Sequence, residues 1–176
     1  MTANQGLSLT FGELRRLKLF ADLSEDQIAT FVSLVQPREA AVGQIIVRVH
    51  ELGDSMYLIL DGAVQVSRTT GGRDTALAIL ETGDFFGEMC LFDEAPRSAS
   101  VVATRHCHLL RVTKPAFDSM VETHPVIAAL FLRAMLRTVA GRLRTMDKKY
   151  VDSMLLSRFW PKTSAAPAGG STPHPR

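Results

Sequence analysis

The amino-acid sequence predicts a mainly β fold with flanking helices, in which a barrel or sandwich of short strands lies between N-terminal helices and a long C-terminal helix. Apolar residues recur at helical spacing before the strands, short β-branched runs recur at regular turn spacing from about residue 40 to 112, and a long helical pattern follows. The 176 residues, 46% hydrophobic and 22% charged, are typical of one globular domain with an additional helix or tail.

The N-terminal segment is predicted to be helical. Apolar residues at positions 14 to 20 lie at helical spacing between charged residues. The SEDQ stretch that starts at Ser24 matches a capping box, because the side chain of Gln27 can reach back to the Ser24 amide. Pro37 is expected to end the helix that follows, because the residue before a proline is pushed out of helical geometry.

The central strands are separated by predicted turns. Apolar and β-branched runs occur in GQIIVRV (43–49), TALAIL (75–80) and SASVVATRHCHLLRV (98–112). Two more runs lie on either side of Asp61–Gly62 in MYLILDGAVQV (56–66), and we expect a hairpin there because its tight turn needs positive φ. The stretch Thr70–Arg73, which contains two glycines, predicts the next turn.

The long C-terminal helix is predicted to begin at His124–Pro125 and to end near Trp160, with Gly141 as its one glycine. Apolar residues within it step alternately by four and three, which is the heptad spacing of a coiled-coil seam. The first half of the helix is expected to cover the barrel, and the half past about Arg144 is expected to form a coiled-coil-like homodimer. The seam consists of Leu132, Leu136, Val139, Leu143, Met146 and Tyr150.

Composition and motifs exclude several classes of protein. The net charge of +2 gives no strong field for nucleic acid, and the basic face of the long helix is interpreted as a solvated surface. The sequence has no signal peptide, no apolar run of about 20 residues and no CxxC pair from Cys90 and Cys107, so we expect a reduced, cytoplasmic protein without a membrane span. Without a catalytic motif we expect no enzyme. His106 and His108 lack a third ligand nearby in the sequence, so no metal site is expected.

The stretch FGEMCLFDEAPRSASV, from residue 86 to 101, places an acid, an arginine and a glycine on one loop. Gly87 allows the backbone to approach a ligand closely, and Arg97 offers a planar fork of donors that suits phosphate oxygens. Ionised Glu88 only accepts hydrogen bonds, which suits a pair of sugar hydroxyls, and Ser98 adds a hydroxyl and an amide beside Arg97. These residues predict a ribose phosphate site; the alternative is an ordinary ion pair between Glu88 and Arg97.

The whole string closely resembles the phosphate-binding cassette of cyclic nucleotide-binding domains, whose members read roughly Phe-Gly-Glu, an apolar residue, a small residue and Leu, then Pro-Arg, a small residue and Ala. Here these positions are Phe86–Leu91 and Pro96–Ala99, with Cys90 in place of the usual Ala or Gly. The resemblance covers about Leu17 to Tyr150 and implies a double-stranded β-helix, a jelly-roll-like β-roll. We expect a cyclic nucleotide-binding domain over 1–150, the end of the helix over 151–160 and a disordered tail over 161–176.

The resemblance implies a role for each matching residue. Arg97 would bind the cyclic phosphate with help from the amides of Ser98 and Ala99. Glu88 would hold the ribose 2′-hydroxyl, with the backbone of Gly87 beside it. The remaining candidate ligand-binding residues are Met89 in the cassette and the apolar pocket walls Val66 and Leu77.

The implied ligand is cAMP, because Ser98 lacks the methyl group of the threonine that often accompanies cGMP use in the family; cGMP stays open, and no cofactor is implied. The implied function is a regulatory sensor that transmits ligand binding through its C-terminal helix. The alternatives are the sensor part of a transcription regulator that lacks its DNA-binding domain, or the regulatory domain of a channel, a kinase or another enzyme. Residues 161–176 are too few for a helix-turn-helix module, so we expect no specific DNA binding by this chain alone.

Overall fold

The computed structural model describes residues 11–70, 73–93 and 95–159. The helices are α1 (Phe11–Arg16), α2 (Glu25–Leu34), α3 (Lys114–Thr123) and α4 (Pro125–Phe159), with short 3-10 turns at Lys18–Phe20 and Glu88–Leu91. The strands are β1 (Gln36–Ala40), β2 (Ile45–Val47), β3 (Ser55–Asp61), β4 (Ala63–Thr70), β5 (Arg73–Glu81), β6 (Phe85–Phe86), β7 (Ser100–Ala103) and β8 (Cys107–Thr113).

The strands form two antiparallel sheets. The first sheet has the order β1-β8-β3-β6 and the second has the order β2-β7-β4-β5. The chain therefore alternates between the sheets, with β1 in the first, β2 in the second, β3 in the first, and β4 and β5 in the second. This winding is that of a jelly-roll-like β-roll, so the predicted fold class, with its flanking helices and long C-terminal helix, is confirmed.

Two apolar cores hold these layers together. One packs the helices on the first sheet and includes Phe31 of α2, Leu58 of β3 and Phe131 of α4. The other is built from both sheets and includes Ile59 of β3 and Val64 of β4. β3 contributes to both cores because successive side chains of a strand point to opposite faces, and six of its seven residues are buried.

Local signals begin and end the N-terminal helices. The predicted capping box is present, since the Ser24 side chain accepts from the Gln27 amide and the Gln27 Oε1 accepts from the Ser24 amide at 2.9 Å. The predicted start of the strands near residue 40 is wrong, because α2 ends at Leu34 and Pro37 already lies within β1. β1 is an edge strand of its sheet, and a proline is tolerated at an edge because its missing N–H breaks no ladder there.

The hairpin predicted at Asp61–Gly62 is wrong. β3 pairs with β6 and β8, whereas β4 pairs with β5 and β7, so the chain crosses from one sheet to the other at Gly62. Gly62 has a φ of 106°, and an added Cβ would collide with the carbonyl oxygen of His106. The glycine supplies the positive φ that a hairpin would need, but it serves a close crossing between sheets instead.

Two other predicted boundaries, the turn at Thr70–Arg73 and the start of the long helix, agree with the structure. β4 and β5 pair on either side of the predicted turn, from Thr70 opposite Arg73 to Ala63 opposite Glu81. Thr113 caps α3 by accepting from the amide of Ala116, and α4 begins at Pro125 as predicted. The residues predicted to form a disordered tail, 161–176, lie outside the described part of the chain.

The chain divides into two compact units, Met1–Arg137 and Thr138–Arg176. In the first unit, one face of α4 joins the core on the first sheet through Ile127, Ala128, Phe131, Ala134 and Met135. In the second unit, the predicted seam is exposed by 36% to 65% at Val139, Leu143, Met146 and Tyr150. Among the described residues, no helix is both long and apolar enough to cross a membrane.

Candidate functional site

The backbone of the cassette is fixed at both ends. Gly87 adopts a left-handed conformation, with φ 75°, and opens the short 3-10 turn Glu88–Leu91. On the return segment, the Arg97 amide donates to the Glu51 carbonyl at 2.8 Å, and the Arg97 carbonyl accepts from the His50 amide at 2.9 Å. The loop between β2 and β3 therefore holds the main chain of Arg97 in register.

The guanidinium of Arg97 is half-buried and donates to three acceptors. Nη2 lies 2.6 Å from the Ser55 carbonyl oxygen, and Nη1 lies 3.1 Å from the Gly87 carbonyl oxygen. Nη1 also lies 3.5 Å from the Sγ of Cys90. A guanidinium has five N–H donors, and these contacts engage at most three of them, so further donors are available to an anion.

A polar network around Ser55 holds in place the main-chain carbonyl that accepts a hydrogen bond from Arg97. Ser55 is fully buried, and its hydroxyl donates to Asp54 Oδ1 at 2.8 Å while it accepts from Arg111 Nε at 3.0 Å. Arg111 also forms an ion pair with Asp54 at 2.7 Å. The Ser55 hydroxyl first, and then the Arg111 guanidinium, lower the pKa of Asp54 below its ordinary value against the opposing effect of partial burial.

Sequence reasoning missed the supporting residues Asp54, Ser55 and Arg111. Ser55 and Arg111 are 56 positions apart and meet only because β3 pairs with β8. A buried serine at the start of an apolar strand was the one available signal, since a buried hydroxyl needs a partner.

Cys90 fits the small-residue position of the cassette. It is 4% exposed, and its thiol donates to the Gly87 carbonyl at 3.0 Å. Burial raises the pKa of the Cys90 thiol, and the neighbouring Arg97 opposes this shift. The neutral thiol therefore serves as a small polar packing residue against the turn.

The other cassette residues are placed by these anchors. Glu88 is half-buried as the first residue of the 3-10 turn that follows Gly87, whereas Met89 is 55% exposed. Ser98 is exposed and Ala99 is half-buried directly after Arg97. The structure therefore places the Glu88 carboxylate and the Arg97 guanidinium on a single loop with fixed ends.

The predicted apolar walls Val66 and Leu77 lie on the β4–β5 hairpin. Val66 is half-buried against the core between the sheets, and it pairs with Val101, which follows the cassette in β7. Leu77 is 53% exposed at a β-bulge, because Val66 pairs with Ala78 and the next pair involves Ala76. Its neighbours Ala76, Ala78 and Ile79 are exposed too, so Leu77 lies on an exposed part of β5.

His106, in the loop before β8, and His108, on β8, both lie near the carboxylate of Glu39, a contact that the sequence does not predict. His106 Nε2 and His108 Nδ1 lie 3.8 and 3.7 Å from the Glu39 carboxylate on β1. Over the described residues, no group of three or more His, Cys, Asp or Glu side chains is arranged to hold a metal ion.

Comparison with known proteins gives the family. The model of the cyclic nucleotide-binding domain matches residues 37–124. The Cyclic AMP receptor protein of Thermus thermophilus is 34% identical over 130 residues, which is 73% of this chain and 58% of that protein. The potassium/sodium hyperpolarization-activated cyclic nucleotide-gated channel 3 of Mus musculus is 30% identical over 160 residues, which is 90% of this chain and 19% of the channel.

A solved structure covers nearly the same extent. The N-terminal domain of a transcriptional regulator from Streptomyces coelicolor has a TM-score of 0.63 and 31% identity, and the match covers 86% of this chain and 99% of that one. The chain spans about three-fifths of the Thermus thermophilus receptor, so the match concerns a domain of that protein. The chain belongs to the cyclic nucleotide-binding domain family, with relatives among regulators of the catabolite activator type.

Proposed function

We propose that this chain is a cAMP-responsive sensor in which Arg97 binds the cyclic phosphate and Glu88 binds the ribose 2′-hydroxyl. One observation carries the proposal: the Arg97 guanidinium lies half-buried between the carbonyls of Ser55 and Gly87, with donors left for an anion. A guanidinium held in this way has lost most of its rotamer freedom before a ligand arrives. Binding a phosphate then requires little further ordering, which favours affinity.

The remaining contacts follow from the chain order. The amides of Ser98 and Ala99 adjoin Arg97 and supplement it on the phosphate. Met89, Val66 and Leu77 provide apolar surface for the sugar and the base, with Gly87 beside the ribose. We favour cAMP over cGMP because Ser98 lacks a threonine methyl group, and the similar Thermus thermophilus protein is named a cyclic AMP receptor.

The output is proposed to pass through α4, without a catalytic step. A ligand that binds one pose of the helix better than another shifts the population toward that pose. The exposed apolar seam of the second unit is suited to a second copy of this chain, so the sensor is proposed to be a homodimer. It is proposed to act in the cytoplasm and to have no sequence-specific DNA binding by itself.

Isothermal titration of the purified chain with cAMP, cGMP and a cyclic dinucleotide tests the proposal. Arg97→Ala should weaken cAMP binding by about 10- to 150-fold, because it removes a charge-assisted hydrogen bond to the phosphate. Arg105→Ala, at an exposed position outside the cassette, is the matched control and should bind like the wild type. No binding by the wild type, or equal binding by Arg97→Ala, rejects the proposal.

A second candidate is the sensor part of a longer transcription regulator. It is favoured by the match to an isolated N-terminal domain of such a regulator, which this chain covers by 99%. The coding sequence around residues 1–176 decides between the candidates, because a helix-turn-helix downstream supports the regulator, whereas membrane spans or a catalytic domain support a channel, a kinase or another enzyme.

A further inference from the structure

Gly53 lies in the loop between β2 and β3, directly against the side chain of Arg97. A Cβ added to Gly53 would lie 2.7 Å from both Cζ and Nε of Arg97, and 3.0 Å from the Cβ of Cys90. Non-bonded carbon atoms prefer a separation of about 3.5–4.0 Å. No side chain therefore fits at position 53 while the Arg97 guanidinium occupies its present place.

The backbone does not explain this glycine. Among the glycines that the structure describes, Gly43, Gly62, Gly83 and Gly87 have positive φ and Gly53 does not, so its main chain suits an L-residue with a side chain. Gly43 presents the opposite case, since it has a φ of 81° and nothing within 4 Å of an added Cβ. At position 53 a glycine is needed because the side chain of Arg97 occupies the place of a Cβ, whereas at position 43 it is needed because of the positive φ.

We propose that Gly53 is a positioning residue for the ligand-binding arginine. Its missing Cβ opens a slot, formed by Gly53, Ser55, Gly87 and Cys90, in which the guanidinium of Arg97 lies. Within this slot the guanidinium donates to Ser55 and Gly87 and directs its remaining donors toward the ligand. The inference rests on the proposed function, because it assigns Gly53 a role in cyclic nucleotide binding.

A methyl group at position 53 should displace Arg97 and leave the fold intact. The guanidinium is the end of a long, flexible side chain, so it can leave the slot without moving the main chain, and Cys90 must shift by only a few tenths of an ångström. Once displaced, Arg97 no longer donates to the Gly87 and Ser55 carbonyls. Its charge remains in the protein, but its planar fork is no longer aligned with a bound phosphate.

The test is a double-mutant cycle of Gly53→Ala and Arg97→Ala, with cAMP affinity as the readout. Gly53→Ala should weaken cAMP binding at least about tenfold, as expected for losing a charge-assisted hydrogen bond. In the Arg97→Ala background, Gly53→Ala should change the affinity less than about twofold, because no guanidinium remains to be displaced. Leu52→Ala is the matched control, since Leu52 is the preceding residue and is 81% exposed; it should bind like the wild type.

Two results would overturn the role of Gly53. One is an unchanged affinity in Gly53→Ala. The other is an equal loss from Gly53→Ala with and without Arg97, which would indicate a general disturbance of the loop. If Gly53→Ala alone fails to fold, Gly53→Ala/Arg97→Ala should fold, because the steric conflict is with Arg97; a double variant that also fails to fold rejects the slot.

A ligand-free measurement separates this inference from the proposed function. A crystal structure of ligand-free Gly53→Ala should show the guanidinium moved away from the Gly87 and Ser55 carbonyl oxygens, from which it now lies 3.1 and 2.6 Å. A guanidinium that stays on both carbonyls contradicts the slot. If the wild type binds no cyclic nucleotide while Arg97 is displaced in the variant, the proposed function and the ligand-binding role fail, and the slot itself remains.

Discussion

Arg111 lies on β8, yet its guanidinium contacts both Asp54 and Ser55. The main-chain carbonyl of Ser55 is the one that accepts a hydrogen bond from Arg97. It donates to the Ser55 hydroxyl at 3.0 Å and to Asp54 Oδ2 at 2.7 Å. The buried Ser55 hydroxyl is thereby satisfied as donor and acceptor, which a buried polar group requires. Loss of either charged partner would leave the other with an unmatched charge beside a buried hydroxyl.

Asp54→Asn is expected to remove part of the acid sensitivity of the fold. The pKa of Asp54 is lowered from 3.8 in the folded chain, chiefly by the Ser55 hydroxyl and then by Arg111. A lowered pKa in the folded state gives stability that is present above the ordinary pKa and is lost as the pH falls through the folded value. The wild type should therefore have the higher free energy of unfolding near neutral pH, and its difference from Asp54→Asn should decrease on acidification.

Urea denaturation of both proteins between about pH 7 and pH 3 measures this difference in unfolding free energy. The difference in unfolding free energy between the two proteins should be constant near neutral pH and should decrease below about pH 4. A gap that stays the same down to the lowest pH would show that Asp54 carries no such linkage.

Residues near in sequence could be predicted, and residues brought together by strand pairing could not. Glu88, Gly87 and Arg97 lie within one short loop, so their residue types and spacing are enough to suggest the hypothesis of a phosphate and sugar site. The contact of Arg111 with Ser55 depends on the register of β3 and β8. The need for a glycine at position 53 depends on where the side chain of Arg97 lies in the folded protein. Neither dependence produces a local pattern in the sequence.

At the scale of elements, Asp22, which lies in the turn before α2, forms a clamp of two ion pairs with the third and fourth turns of α4. Its Oδ2 accepts from Arg133 at 2.9 Å and from Arg137 at 3.0 Å, one helical turn apart. The hydrogen bond from Arg133 is the largest cause of the lowered pKa of Asp22. Arg137 is the last residue of the first compact unit, so this clamp is placed where α4 leaves that unit.

Asp22→Asn should increase amide hydrogen exchange in residues 131–137 by no more than several-fold, because exposed ion pairs are weak and screened by salt. High salt should have the same effect on the wild type and little effect on the variant. Asp118→Asn, which removes the exposed pair with Lys114 in α3, is the control and should leave this segment unchanged. Exchange that is equally slow in Asp22→Asn and the wild type contradicts the clamp.

Element boundaries also show why local rules were sufficient in some places and insufficient in others. The capping box of α2 and the proline at the start of α4 act within one helical turn, and both predictions are confirmed. The Asp61–Gly62 pair has the local chemistry of a hairpin, yet the partner of each flanking strand lies elsewhere in the sequence. Turn chemistry determines that the chain bends, whereas the pairing of distant strands determines which sheet each arm joins.

At the scale of the whole molecule, the apolar seam of the second unit is the feature that most favours self-association. The side chains at Leu143, Met146 and Tyr150 are 58%, 65% and 63% exposed. A row of exposed apolar residues at heptad spacing is typical of a helix that pairs with a second helix. In a dimer this row would be removed from water in both copies.

Leu143→Lys is expected to convert a dimer into a monomer. Burying one leucine contributes about 1.5–3 kcal/mol, and the substitution acts in both copies, so the dissociation constant should rise at least about 100-fold. Sedimentation equilibrium with and without cAMP measures it. Lys148→Ala lies on the opposite side of the helix from the seam and should leave the dimer intact. A wild type that is monomeric at high micromolar concentration argues against pairing through this helix.

The edge position of β1 has a consequence for how the chain folds during synthesis. Among the described strands β1 pairs only with β8, and Gln36 contacts Arg111 across 75 positions of sequence. β1 therefore stays unpaired until β8 has been synthesised. Because this pairing is non-local in sequence, folding is expected to be slow, on a scale of milliseconds to seconds. During that wait Pro37 makes the nascent strand a poor template for a neighbouring chain, so the same residue that marks the edge protects the unfinished protein from aggregation.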